Sequence, residues 1–138
     1  MRNRLLPGAL LALAVFGAQA CATKSQMRSA PSDAGIKQTY EFPIDKVRMA
    51  VHDAVGESGF SIKEKESHSL GENVFEINAS QGLAAGSTGR RARIRIEDQK
   101  TQCVVYVLVR SKMETQEAAP GDNALAEDIH KNLAKRLK

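Results

Sequence analysis

Apolar residues recur along the chain with two different periods, and the switches between them outline the fold. After Pro43, the residues Ile44, Val47, Val51, Ala54 and Val55 return at helical spacing, with Asp45 in the first turn, where negative charge suits the helix dipole. Gly56 and Gly59 supply the stop, and Gly59 is the expected left-handed cap. A second stripe, Leu125, Ile129, Leu133 and Leu137, advances in steps of four after the Pro120-Gly121 break. Asp122 or Asn123 can cap it, and Lys131, Lys135, Arg136 and Lys138 gather at its C-terminal end.

Elsewhere the period is two. Tyr40 and Phe42, alternating with Thr39 and Glu41, predict a short first strand. Phe60 to Glu64, Val74 to Ala79 and Arg91 to Glu97 alternate as half-buried strands do, and Thr101 to Arg110 is β-branched and nearly continuous, as expected of a central strand. The order β-α-β-β-β-β-α predicts an α+β domain, an antiparallel sheet with two helices packed on one face. There is no internal repeat and no second domain in the pattern.

The first twenty residues do not fit that pattern. Arg2 and Arg4 precede an uncharged run from Leu5 to Ala18 that would span about 21 Å as a helix, short of the roughly 30 Å hydrocarbon core of a bilayer. Residues 1–20 therefore read as a signal peptide. The segment closes on Ala18-Gln19-Ala20-Cys21, which fits an ordinary leader-peptidase site and also resembles the bacterial lipobox, in which the cysteine is lipidated and becomes the first residue. Ala18 and Gln19 depart from the usual lipobox residues, but Cys21 stands where that family needs it, and the lipidated reading is preferred. By the same resemblance, Ala22 in place of Asp implies sorting to the outer membrane, at its periplasmic face. A soluble periplasmic or secreted protein is the alternative. Residues 22–38, rich in Ser and Ala, with Lys, Pro31 and Gly35 and without apolar periodicity, read as a flexible tether reaching at most about 60 Å, with the compact domain at 39–138.

A resemblance to a known family rests on Tyr40-Glu-Phe42-Pro43-Ile-Asp45-Lys46-Val47, on Ala50 to Ala54, and on Gly59-Phe60-Ser-Ile62. These residues resemble a family of small bacterial outer-membrane lipoproteins of unknown function. The architecture is similar to the helix-grip (TBP-like) domains of BamC-type lipoproteins. The resemblance implies a fold and an address, not catalytic residues. The chain departs from it in a longer connection at residues 82–90.

Side chains with chemical potential are few. His52, His68 and His130 have no Cys, His, Asp or Glu at metal-ligand spacing, and solvent-exposed, non-catalytic places are expected for them. Cys103 shares a strand face with Val105, Val107 and Val109 and reads as a buried thiol without a neighbouring base. The segment Gly82 to Arg90 lacks the Gly-Lys-Ser/Thr ending of a phosphate loop and joins two strands, so it reads as a hairpin connection. Glu64, Glu66, Glu72 and Glu76 alternate with polar residues in what read as exposed strands and turns. No enzyme activity, cofactor or metal is expected.

One feature rises above that background. Arg91, Arg93 and Arg95 share a strand face opposite Ala92, Ile94 and Ile96. If Ile94 pairs with Val105, Arg93 faces Tyr106 and a cation–π contact becomes available. The face reads either as a solvated surface whose Arg stems cover apolar neighbours or as a docking face formed by Arg91, Arg93, Arg95 and Tyr106. Its partner would be an envelope protein or an anionic lipid.

Composition alters this picture in one respect. The 20 basic and 16 acidic residues give a formal charge of +4, but removal of the leader takes Arg2 and Arg4 and leaves 18 against 16. Half of the basicity belongs to the export signal, and with export from the cytoplasm and five aromatic residues remaining, nucleic acid fits poorly and is not expected as a partner. The expectation is a non-enzymatic envelope lipoprotein that binds a partner or supports envelope assembly. The alternative is a periplasmic module holding a small apolar or lipid ligand between sheet and helix. Oligomeric state is left open.

Overall fold

A computed structural model of the chain describes Met27 and residues 29–82, 89–111 and 121–138. The segment read as a leader, Cys21 and the core of the Gly-rich connection lie outside the described residues. Five strands, β1 (Ile36–Tyr40), β2 (Ser61–Ser69), β3 (Val74–Gln81), β4 (Arg90–Asp98) and β5 (Cys103–Ser111), form one antiparallel sheet in the order β1-β5-β4-β3-β2. Helix α1 (Ile44–Glu57) follows β1, and α2 (Asp122–Arg136) closes the described fold. This is the expected α+β order.

Both helices bury their stripes against one sheet face. Val47, Val51 and Val55 of α1 and Ile129 and Leu133 of α2 meet Ile94, Ile96, Val105 and Val107, all at most 1% exposed. Burying an aliphatic side chain of this size stabilises by about 1.5–3 kcal/mol, so this interlayer is the principal cohesive force of the domain. Helix α1 ends in a Schellman motif: the Phe60 amide donates to the Val55 carbonyl and the Gly59 amide to the Gly56 carbonyl. Gly59, at φ +83°, is the left-handed residue this motif requires.

Two expectations about the strands are corrected. The first strand begins at Ile36, inside the segment read as tether, and ends at Tyr40. Ile36 pairs with Val107 and Tyr40 with Cys103, so pairing to β5 orders residues whose own sequence is weakly patterned. Just before β1 the chain passes so close to β5 that a Cβ on Gly35 would collide with the Val107 carbonyl. That position, at φ +107°, is confined to glycine for both reasons.

The β4–β5 register is also offset by two residues from the expected one. Ile94 pairs with Val107, Arg93 with Leu108 and Arg95 with Tyr106. The turn decides this. Asp98 Oδ1 accepts the Lys100 amide at 2.9 Å, Lys100 takes φ +72°, and the Gln99 amide donates to the Gln102 carbonyl at 2.9 Å. An Asp side chain bonding its own backbone two residues on centres the reversal at Lys100-Thr101, one position later than the expected pairing needs. An offset of two preserves which face each side chain takes and changes only its cross-strand neighbour.

Candidate functional site

The sheet face turned away from the helices carries Arg91, Arg93 and Arg95 from β4, Tyr106 and Arg110 from β5, Lys37 from β1 and Glu76 from β3. Arg91, Arg95 and Tyr106 are partly exposed there. Arg93 is not: it is 2% exposed, and its guanidinium donates to the carbonyls of Met27 at 2.8 Å, Ala30 at 2.9 Å and Pro31 at 2.6 Å. Those carbonyls have the i, i+3, i+4 spacing of a helical turn's terminal acceptors, and one planar fork satisfies all three. Met27 itself is 4% exposed. Arg93 is therefore removed from the accessible docking face on which sequence placed it, because the chain's own upstream segment occupies its donors.

Burial lowers the Arg93 pKa from its ordinary value, while the charge of Glu76 opposes the shift. Glu76 is itself buried and accepts a hydrogen bond from Asn78 Nδ2 at 3.1 Å, so it is not one of the exposed carboxylates expected from its strand. Arg95 pairs with Glu97 at 3.0 Å. The cation over the Tyr106 ring is Lys37, 5.9 Å from its centroid, in place of the expected Arg93. Strand alternation assigns a residue to a face but is silent on whether a distant segment covers that face. An isolated apolar residue in a polar stretch, Met27, is the sequence signal for such a cover.

Three further side chains are committed to the fold. Asp122, fully buried at the start of α2, accepts Arg90 Nε at 3.0 Å through Oδ1 and the Ser111 amide at 3.2 Å through Oδ2. It thus ties the helix to the start of β4 and the end of β5. Cys103 is buried, with its Sγ 3.3 Å from the Phe42 carbonyl. Burial, with a smaller contribution from Asp98, pushes its thiol up to about 11, which suppresses the thiolate a nucleophile needs.

His130, expected at the surface, is 1% exposed. Its Nε2 lies 2.8 Å from the Ile36 carbonyl, which can only accept, so Nε2 carries the proton. Nδ1 is then the acceptor for the Tyr40 hydroxyl at 2.8 Å. Desolvation lowers the His130 pKa, the bond to Ile36 opposing it, and burial raises that of Tyr40. The folded state thus prefers the neutral imidazole. Stability from this preference is complete above the unfolded-state value of about 6.5 and is lost as pH falls below it toward the depressed folded value. The urea midpoint is expected to drop between pH 7.5 and pH 5, with a shallower pH dependence in His130→Gln. An unchanged pH profile in that variant would assign the dependence to other groups.

Against the edge of the helix layer, Asp45, Arg48, Met49, His52, Ser67 and Phe75 line an open groove of about 430 Å³. The Arg48 guanidinium lies over the Phe75 ring, 3.8 Å from its centroid. Among the described residues, no group of three or more His, Cys, Asp or Glu side chains could hold a metal ion, and no helix is long and apolar enough to cross a membrane. No protein-family model and no curated protein matches this chain.

Proposed function

We propose that the chain is a non-enzymatic cell-envelope lipoprotein, exported by its leader, lipidated at Cys21 and held at the periplasmic face of the outer membrane. Its α+β domain binds a partner or supports envelope assembly there. The observation that carries this reading furthest is the seat of Met27, Ala30 and Pro31 on Arg93, which fastens the segment just after the lipobox-like Cys21 to the sheet. The resemblance to small outer-membrane lipoproteins and the helix-grip order of elements support the same reading. A binding role is favoured over catalysis because Cys103 and His130 are spent inside the fold. The alternative of a ligand held between sheet and helix has weaker support, since Val51, Val55, Ile94, Val107 and Ile129 fill that layer.

Replacing Cys21 by Ser is expected to abolish palmitate labelling and to move the protein out of the membrane fraction. A triacylated cysteine buries several chains at about 0.8 kcal/mol per CH2, so no residual association of comparable strength remains without it. Unchanged membrane fractionation of the variant would overturn the lipoprotein reading.

A further inference from the structure

We infer that the domain sits with its basic sheet face toward the anionic headgroups of the leaflet that carries its lipid, held there by a leash of only six residues. The inference rests on the lipoprotein reading above and adds to it an orientation and a partner surface. Because Arg93 fastens Met27 to the outer sheet face, the chain from Cys21 to its first anchor on the domain is six residue steps long and does not extend to residue 38. Six residues reach at most about 20 Å, a third of the length the whole tether would have allowed. A domain of about 100 residues is roughly 30 Å across, so the leash cannot pass around its edge to bring the helix layer to the bilayer.

Charge favours the same orientation. On β1, β4 and β5 the outer face presents Lys37, Arg91, Arg95 and Arg110 against Glu97, a formal excess of three positive charges, while Arg93 and Glu76 are buried beneath the upstream segment and among their neighbours and offset one another. The two helices carry five basic and six acidic residues, a formal charge of −1. A basic residue near an anionic membrane surface is attracted by about 1 kcal/mol, and the attraction fades within a Debye length. A leash shorter than the domain keeps the basic face within that range more often than free tumbling would.

The test uses the full lipidated protein in phosphatidylcholine vesicles with and without phosphatidylglycerol. A donor dye is placed at Thr39→Cys, exposed on the outer face of β1, or at Ala134→Cys, exposed on α2; Cys103 is fully buried and escapes labelling. Quenching by acceptor-labelled headgroups is expected to be severalfold stronger at Thr39→Cys in anionic vesicles, with the difference narrowing in neutral vesicles and at high salt. Equal quenching at the two sites in lipid-bearing protein overturns the orientation. A difference indifferent to lipid charge and salt overturns the electrostatic contact. A Gly/Ser insertion after Lys24 is expected to bring the two signals together in neutral vesicles, and an unchanged difference overturns the leash. Protein that takes up no lipid overturns the lipoprotein reading, and this inference with it.

Discussion

Asp122→Ala is expected to lower the stability of the domain by about 3 kcal/mol, read as a fall in the urea midpoint at constant slope. The carboxylate is fully buried, and its two oxygens serve different chain segments, Arg90 Nε at 3.0 Å and the Ser111 amide at 3.2 Å. Removing one member of a buried ion pair commonly costs about 3–5 kcal/mol because the partner charge stays behind in poor solvent. Here the Arg90 side chain keeps 28% of its exposure, so water compensates part of the loss and the lower end applies. The carboxylate also sits in the first turn of α2, where the N-terminal end of the helix dipole favours it. Asp122→Asn keeps an acceptor but loses the charge, and a smaller loss is expected. A loss below about 1 kcal/mol in Asp122→Ala would mean that Arg90 and Ser111 find other partners at little cost.

Arg93→Met is expected to release the upstream segment while leaving the helix–sheet core in place. Three carbonyls converge on this guanidinium, and hydrogen bonds to a charged donor are worth about 1.5–3 kcal/mol each before the entropy of ordering the segment is subtracted. Methionine fills much of the same volume but donates nothing, so Met27, Ala30 and Pro31 lose their shared anchor, and Glu76 loses a nearby positive charge. A net change of about 2 kcal/mol in the local opening equilibrium corresponds to roughly thirtyfold faster amide exchange in the segment. The Ala34 amide, which donates to the Pro31 carbonyl at 3.0 Å, is the reporter, with the Val107 amide in β5 as the internal control. Unaltered exchange at Ala34 would show that other contacts hold the segment. Arg93→Lys should fall between, since an ammonium keeps the charge without the planar fork.

These two variants mark where local sequence ceases to be informative. The stripes of α1 and α2 and the alternation of β3 and β4 were legible because each element writes its buried face into its own period. Gly59 was legible as a cap because left-handed backbone selects glycine. The identity of the face bearing Arg91, Arg93 and Arg95 was legible too, but its accessibility was not. Arg93 is buried by residues more than sixty positions away, and nothing in β4 records them. His130 follows the same logic: it flanks Ile129 on the helix wheel and reads as polar, yet Tyr40 and the Ile36 carbonyl, ninety or more positions away, absorb both of its nitrogens. Asp122 read as a helix cap and serves instead as a buried joint among α2, β4 and β5.

By itself, the sequence determined the kind and order of the elements and the face each presents to the core. Those properties depend on hydrophobic period and backbone stereochemistry, which act over a few residues. Only the tertiary structure decided the enlistment of Ile36–Tyr40 in the sheet and the closing of Arg93 over the Met27, Ala30 and Pro31 carbonyls. Each of these is a choice among long-range partners of similar local suitability. It is settled by which pairing leaves the fewest buried polar groups unsatisfied once the core has closed.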